Sequence, residues 1–259
     1  MNRFNNKTAF VSGGGSGIGE AVAIELAAKG AKVAVADINF ENATKVACEI
    51  NEKGGHARAV RVDVTNFESV EGAFVDAEQW YGGSTEILVN SAGIMGVHSF
   101  IDYPADLFAK VMAINVTGSF LCSQRAAKSM VVARNGRIIN VASVSAERAG
   151  IGRAAYGTSK AALVGLTRQI AMELGSFGVT ANAIAPGPVV TPMTAASYNP
   201  DTIDAYTSMI PARRLGLLED MTAAVVFLAS DEAAYINGVL LPVDGGYLAS
   251  GVAKTGKLS

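Results

Sequence analysis

Histidine and cysteine are scarce in this chain of 259 residues, which has two of each. Cys48 and Cys122 lie far apart, and His56 and His98 do not complete a metal-binding spacing with them. That excludes structural zinc, and both cysteines read as buried thiols of a reducing compartment. A concentrated basic segment is missing too: 21 Lys and Arg face 23 Asp and Glu, for a formal net charge of -2. Nucleic-acid binding needs a dense cationic surface to neutralise phosphates, so no such partner is expected. The apolar runs are short and broken by Gly, Pro or charge, which argues against a membrane span. No signal peptide is visible, because polar Met1–Thr8 leads into a strand. Cytoplasm is the expected location.

What the chain does have is apolar surface and glycine: 50% of residues are hydrophobic, 17% are charged, and 28 are Gly. That composition supports a compact core, and the length suits one large α/β domain. Strands are predicted at Thr8–Ser12, Lys32–Ala36, Ala57–Val62, Ile87–Asn90, Arg137–Val141, Val179–Ile184 and Val239–Val243. Helical patterns separate them: Ile18–Lys29, one capped by Asn39 and running to Lys53, and one opened by Thr65 or Asn66 and ending near Gly82-Gly83. Further on come Pro104–Val132, possible in two pieces, then Ala154–Ser176 and Glu219–Ala229. Strands apolar on both faces, alternating with amphipathic helices, predict a parallel sheet with helices on both sides. The proline-bearing stretch Pro186–Leu218 reads as irregular.

Between the first strand and first helix stands Ser12-Gly-Gly-Gly-Ser-Gly-Ile-Gly19. Glycine permits positive φ and lets backbone N–H groups approach a phosphate at the helix N-terminus. Gly13 would make the turn, Gly17 would admit the phosphate beside Ser16 and Ile18, and Gly19 would allow helix packing. The competing reading is an ordinary glycine-rich loop; the flanking strand and helix favour a dinucleotide site. Asp37 ends the second strand, where a carboxylate accepts hydrogen bonds from the adenosine ribose and repels a 2′-phosphate. Neither Ala36 nor Ile38 offsets that charge, so NAD is preferred over NADP. Alone, Asp37 also suits a turn or cap. Asp63-Val64 after the third strand would meet the adenine, or simply close a turn. Asn90-Ser-Ala-Gly93 leaves room for a nucleotide over the fourth strand.

Tyr156 and Lys160 stand four residues apart on a predicted helix, so they share a face. A nearby positive charge lowers a phenol's pKa and fits it for proton transfer. Ser143, just past the fifth strand, offers a hydroxyl for a substrate oxygen or for a cap. Each feature alone is common.

Taken in order along the chain, these motifs resemble the short-chain dehydrogenase/reductase family over essentially the whole length. Asn90-Ser91-Ala92-Gly93 carries Ser91 where the family usually has Asn, and the end resembles its Asp-Gly-Gly segment at Asp244-Gly245-Gly246. The resemblance implies a Rossmann-type, doubly wound parallel sheet in a three-layer αβα domain. It also implies a catalytic tetrad of Asn115, Ser143, Tyr156 and Lys160. Tyr156 would exchange the proton, Lys160 would depress its pKa and hold the nicotinamide ribose, and Ser143 would polarise the C–O bond. Asn115 would bind a water in a proton relay. Pro186-Gly187, Val189, Thr191 and Met193 would pass along the nicotinamide, with Asn90, Ala92 and Gly93 below it.

For the substrate pocket the resemblance points to Met95, Ser145, Glu147, Arg153, Gly187, Val189, Met193, Tyr198 and Tyr206. Glu147 would bind a hydroxyl of a diol or sugar, or is a solvated acid; Arg148 or Arg153 would favour an anion, opposed by Glu147. His98 reads as a loop residue, and a lid is expected at about 188–218. The expected reaction is NAD-dependent hydride transfer at a small secondary alcohol, polyol or sugar, or the matching ketone. A 3-oxoacyl thioester reductase and a non-catalytic dinucleotide sensor are the alternatives. The resemblance further implies a homotetramer, and the tail after Tyr247 would cover a neighbouring subunit or fray.

Overall fold

The computed structural model describes residues 3–195 and 198–251. Seven parallel strands form one sheet in the order β3-β2-β1-β4-β5-β6-β7. They are β1 (Thr8–Ser12), β2 (Lys32–Asp37), β3 (His56–Arg61), β4 (Ile87–Asn90), β5 (Gly136–Val141), β6 (Val179–Pro186) and β7 (Leu240–Val243). The strand order reverses between β1 and β4, so the crossovers part there and leave a crevice at the C-terminal strand ends.

Helices α1 (Gly17–Ala28), α2 (Phe40–Glu52), α3 (Phe67–Tyr81), α4 (Ala105–Met112), α5 (Ser119–Ala133) and α6 (Ala154–Leu174) connect the strands. One core packs α1 and α2 on a face of the sheet, through residues such as Leu26 and Ile50. A second core packs α3 and α5 on the other face, where Phe10 and Phe74 stack with centroids 4.1 Å apart. Burial on both faces explains why β1, β5 and β6 read as unbroken apolar runs. Edge strand β3 departs from that expectation. It has one sheet neighbour, and His56, Arg58 and Arg61 face solvent.

Three more features differ from the pattern expected along the chain. The stretch expected to be irregular contains α7 (Pro192–Ala195) and α8 (Pro200–Met209), before α9 (Leu218–Ala229), which packs on α1's side of the sheet. Asn199 caps α8 by accepting from the Thr202 N–H, and Pro200 follows at the first helical turn, where proline is tolerated. Prolines that looked like breakers therefore start helices. Cys48 is exposed, and only Cys122 is buried. Residues 105–133 form one continuous helical run through a π-helical segment, Ala113–Gly118, long and apolar enough to cross a membrane by length and composition. It packs along the sheet instead: Cys122, Ala126 and Met130 enter the second core, and Arg125 pairs with Glu71 and Glu78 on α3. Residues 252–259 of the expected tail lie outside the described residues.

Candidate active site

A cavity of about 570 Å³ opens over the C-terminal strand ends. Its floor begins at the glycine turn. Gly13 has φ +68°, and a Cβ there would lie 2.6 Å from the Ala92 backbone N. A Cβ on Gly19 would strike the Gly13 carbonyl, so the helix starts as close to the turn as backbone permits. At Gly17, with φ +59°, a Cβ would sit 3.7 Å from Thr191 and Pro192 and occupy cavity space. The Ser16 side chain makes no cap hydrogen bond, which leaves the first N–H groups of α1 to other acceptors. A bare helix start beside a glycine cradle fits the pyrophosphate of a dinucleotide.

Asp37 lines the same end, and both its oxygens are engaged: Gly15 N–H donates at 3.0 Å and Asn39 N–H at 2.9 Å. A Cβ on Gly15 would come within 2.9 Å of that carboxylate, a role for the middle glycine that the motif alone did not reveal. Arg61 stands opposite Asp37 in register on β3 but does not line the cavity. Asp63 accepts from the Thr65 N–H and hydroxyl, and Val64 packs beneath the cavity because Gly118, in the π-helical segment, has no Cβ to collide with it. Ile38, Ala92 and Gly93 complete this side.

Ser143, Tyr156 and Lys160 converge at the centre. Ser143 makes the anticipated cap and also turns toward the centre of the site. Its hydroxyl accepts from Ser145 N–H at 3.1 Å, capping a short 3₁₀ turn, and it faces the Tyr156 phenol. Burial pushes the Tyr156 pKa up, while hydrogen bonding with Ser143 and the charge of Arg153 pull it down. Lys160 donates from its ammonium to the Val141 carbonyl at 2.7 Å and lies 5.6 Å from the Tyr156 ring centroid. Burial brings Lys160 itself down to about 8.

Three expected residues stand behind the cavity wall. Asn90 is buried and donates to Ser123 and Asn140 at 2.9 and 2.8 Å. Asn115 clamps both backbone groups of Ile94, accepting from its N–H at 2.9 Å and donating to its carbonyl at 3.0 Å, and also reaches Ser159. Its amide thereby holds the loop after β4. Gly19 lies under the turn.

The outer wall includes Met95, Ser145, Arg153, Tyr198 and Tyr206, with Pro186, Gly187, Val189, Thr191 and Met193 along the β6 side. Thr191 lines the cavity, and its N–H donates to the Thr194 hydroxyl at 2.9 Å. Burial drives Tyr198 up to about 12. Glu147 takes the second of its two anticipated places, that of a solvated acid. It is exposed and lines an outer depression with Arg168 and Pro242. Tyr247 does reach the cavity, with Arg148 stacked 4.9 Å from its ring centroid, and no local signal announced it. His98 packs edge-on against Tyr103, away from the cavity.

Comparison with known proteins bears on this arrangement. A family model described as enoyl-(acyl carrier protein) reductase matches residues 13–248. A 2,5-dichloro-2,5-cyclohexadiene-1,4-diol dehydrogenase of Sphingobium indicum is 40% identical over 246 residues, covering 95% of this chain and 98% of the relative. The 3-oxoacyl-(acyl-carrier-protein) reductase MabA of Mycobacterium avium is 40% identical over 248 residues, covering 94% and 90%. A gluconate 5-dehydrogenase from Burkholderia cenocepacia, solved with NADP and tartrate, superposes with TM-score 0.92 at 31% identity, covering 96% of this chain and 98% of that one. With its strand order, its glycine turn and these relatives all in agreement, the chain belongs to the short-chain dehydrogenase/reductase family of oxidoreductases.

Proposed function

We propose that this chain is an NAD-dependent oxidoreductase acting at a small secondary alcohol, polyol or sugar, or at the corresponding ketone. The observation that carries the reading is the meeting of Ser143, Tyr156 and Lys160 in one cavity with the glycine turn and Asp37. Bound nicotinamide supplies the hydride donor or acceptor. The Tyr156 hydroxyl gives a proton to the carbonyl oxygen in reduction and takes it back in oxidation. Ser143 orients that oxygen, and Lys160 presents a cation to the ribose hydroxyls. Asn115 acts as a positioning residue, through the loop it clamps at Ile94.

NAD is favoured over NADP because the Asp37 carboxylate faces the ribose end while Arg61 stays outside the cavity. The gluconate dehydrogenase relative was solved with NADP, so this preference belongs to the local residues and not to the family. Calorimetric titration with each dinucleotide tests it. Wild type binds NAD more tightly, and Asp37→Ser lowers the NAD/NADP affinity ratio on the order of 100-fold by removing a like charge from the 2′-phosphate. Equal ratios in both proteins overturn the assignment. The segment 188–218 serves as a lid on a single domain, and the assembly is a cytoplasmic homotetramer; a solution mass by light scattering checks the latter.

A second reading, 3-oxoacyl thioester reduction, draws support from the similarity to the mycobacterial reductase. Assay against polyols, ketones and 3-oxoacyl thioesters decides, since turnover of thioesters alone would replace the first reading.

A further inference from the structure

The loop between β5 and α6 carries Glu147, Arg148 and Arg153. Read along the chain, the acid offsets the bases. The fold separates Glu147 from Arg153. Glu147 faces the outer depression and Arg153 lines the cavity, while Arg148 stands between them and borders both. Arg153 is half-buried, its stem lies over Gly150, where a Cβ would be 3.2 Å from Arg153 Cδ, and it donates to the Tyr206 hydroxyl at 2.8 Å. Among the described residues it has no carboxylate partner. The acids that do line the cavity, Asp37 and Asp63, follow β2 and β3, with β1 and β4 between them and β5. Among the described residues, Arg153 and Lys160 therefore line the substrate end of the cavity with no acid beside them, and Arg148 at its mouth borders Glu147.

A half-buried guanidinium without a counter-ion is placed to pair with an arriving anion. Its fork matches a carboxylate through two parallel N–H···O bonds, and Tyr206 fixes the fork's orientation. We propose that the substrate is a small hydroxy acid, or the matching oxo acid, whose carboxylate is bound by Arg153. This rests on the oxidoreductase reading above. Arg148, exposed at the mouth and stacked on Tyr247, adds attraction for the incoming anion.

Arg153 also faces Tyr156, so a role confined to tuning that phenol must be separated from substrate binding. Two readouts do so. The first is calorimetric binding of malonate, which has no carbinol to oxidise, to the NAD-loaded protein. Wild type binds it, Arg153→Met weakens binding at least about 10-fold, and Arg153→Lys keeps part of it. The second is kcat/KM for hydroxy acids, each paired with its uncharged amide. Wild type prefers the acid, and Arg153→Met lowers the acid/amide ratio about 100-fold. Malonate binding that is absent from wild type, or equal in Arg153→Met, overturns the proposal. So does an equal fall for acid and amide, which assigns Arg153 to Tyr156 alone. Should Arg153→Met fail to fold, Arg153→Lys decides on the same ratios. Arginine-dependent malonate binding without turnover of any substrate keeps the anion site and overturns the oxidoreductase reading instead.

Discussion

The floor of the cavity and its outer wall are built on opposite plans. The floor is backbone against backbone: Gly13 abuts Ala92, Gly19 abuts Gly13, and Asp37 ties the turn to β2. The wall is side chain against side chain, with Tyr198, Tyr206 and Tyr247 in a row of centroids 5.6 and 6.3 Å apart, carried by the turn before α8, by α8 and by the loop after β7. No residue of α8 is buried, and the wall's far end is held by Arg214 on Asp220, whose carboxyl that contact holds down to about 2. A floor without slack holds one ligand geometry. A wall of half-buried side chains carried outside the sheet can be re-specified without disturbing the sheet.

Substitutions ranked by expected effect put that contrast at risk. Tyr156→Phe, where floor and wall meet, is expected to lower turnover about 1000-fold while dinucleotide affinity persists. Turnover near wild type would remove the proton-transfer role. Gly19→Ala drives a Cβ into the Gly13 carbonyl and is expected to cost about 3 kcal/mol in a urea melt. A midpoint unchanged by that methyl would mean the floor has slack after all.

The buried Lys160 gives a pH signature. Its folded pKa, about 8, lies below the unfolded value, so between pH 8 and about 10 the unfolded state binds more protons. Stability therefore rises with pH through that window, on the order of 2 kcal/mol from this group. In Lys160→Met that rise is expected to disappear, and melts of both proteins at pH 7 and 10 measure it. The same slope in both would place the ammonium in solvent. The smallest effect belongs to the wall. Tyr206→Phe removes one hydrogen bond to Arg153 and is expected to raise KM a few-fold, about 1 kcal/mol, with stability unchanged. A large loss of stability there would show that the wall, too, is part of the core.

Legibility in the sequence follows the same division. The sheet could be read because burial on both faces writes itself as unbroken apolar runs, and the two edge strands, least buried, were least regular. The helix caps at Asn39 and Asn66 were readable because a cap depends on residues three positions apart. Helix α8 was missed because the local pattern weighed Pro200 as a breaker, although proline suits a first turn. Tyr247 was missed because its place depends on how β7 returns beside β6.

By itself, the sequence determined the alternation of strand and helix, the glycine turn and the side-chain chemistry available to the site. These are properties of neighbours along the chain, where periodicity and missing Cβ atoms act locally. Only the tertiary structure decided which groups share the cavity. It turned Glu147 outward and Arg153 inward, placed Asn90 and Asn115 behind the wall, and brought Ser143 and Arg153 to bear on the Tyr156 phenol. The reason is physical. Side-chain direction at a loop is set by packing between elements distant in sequence, and electrostatic influence depends on burial and distance that no spacing along the chain encodes.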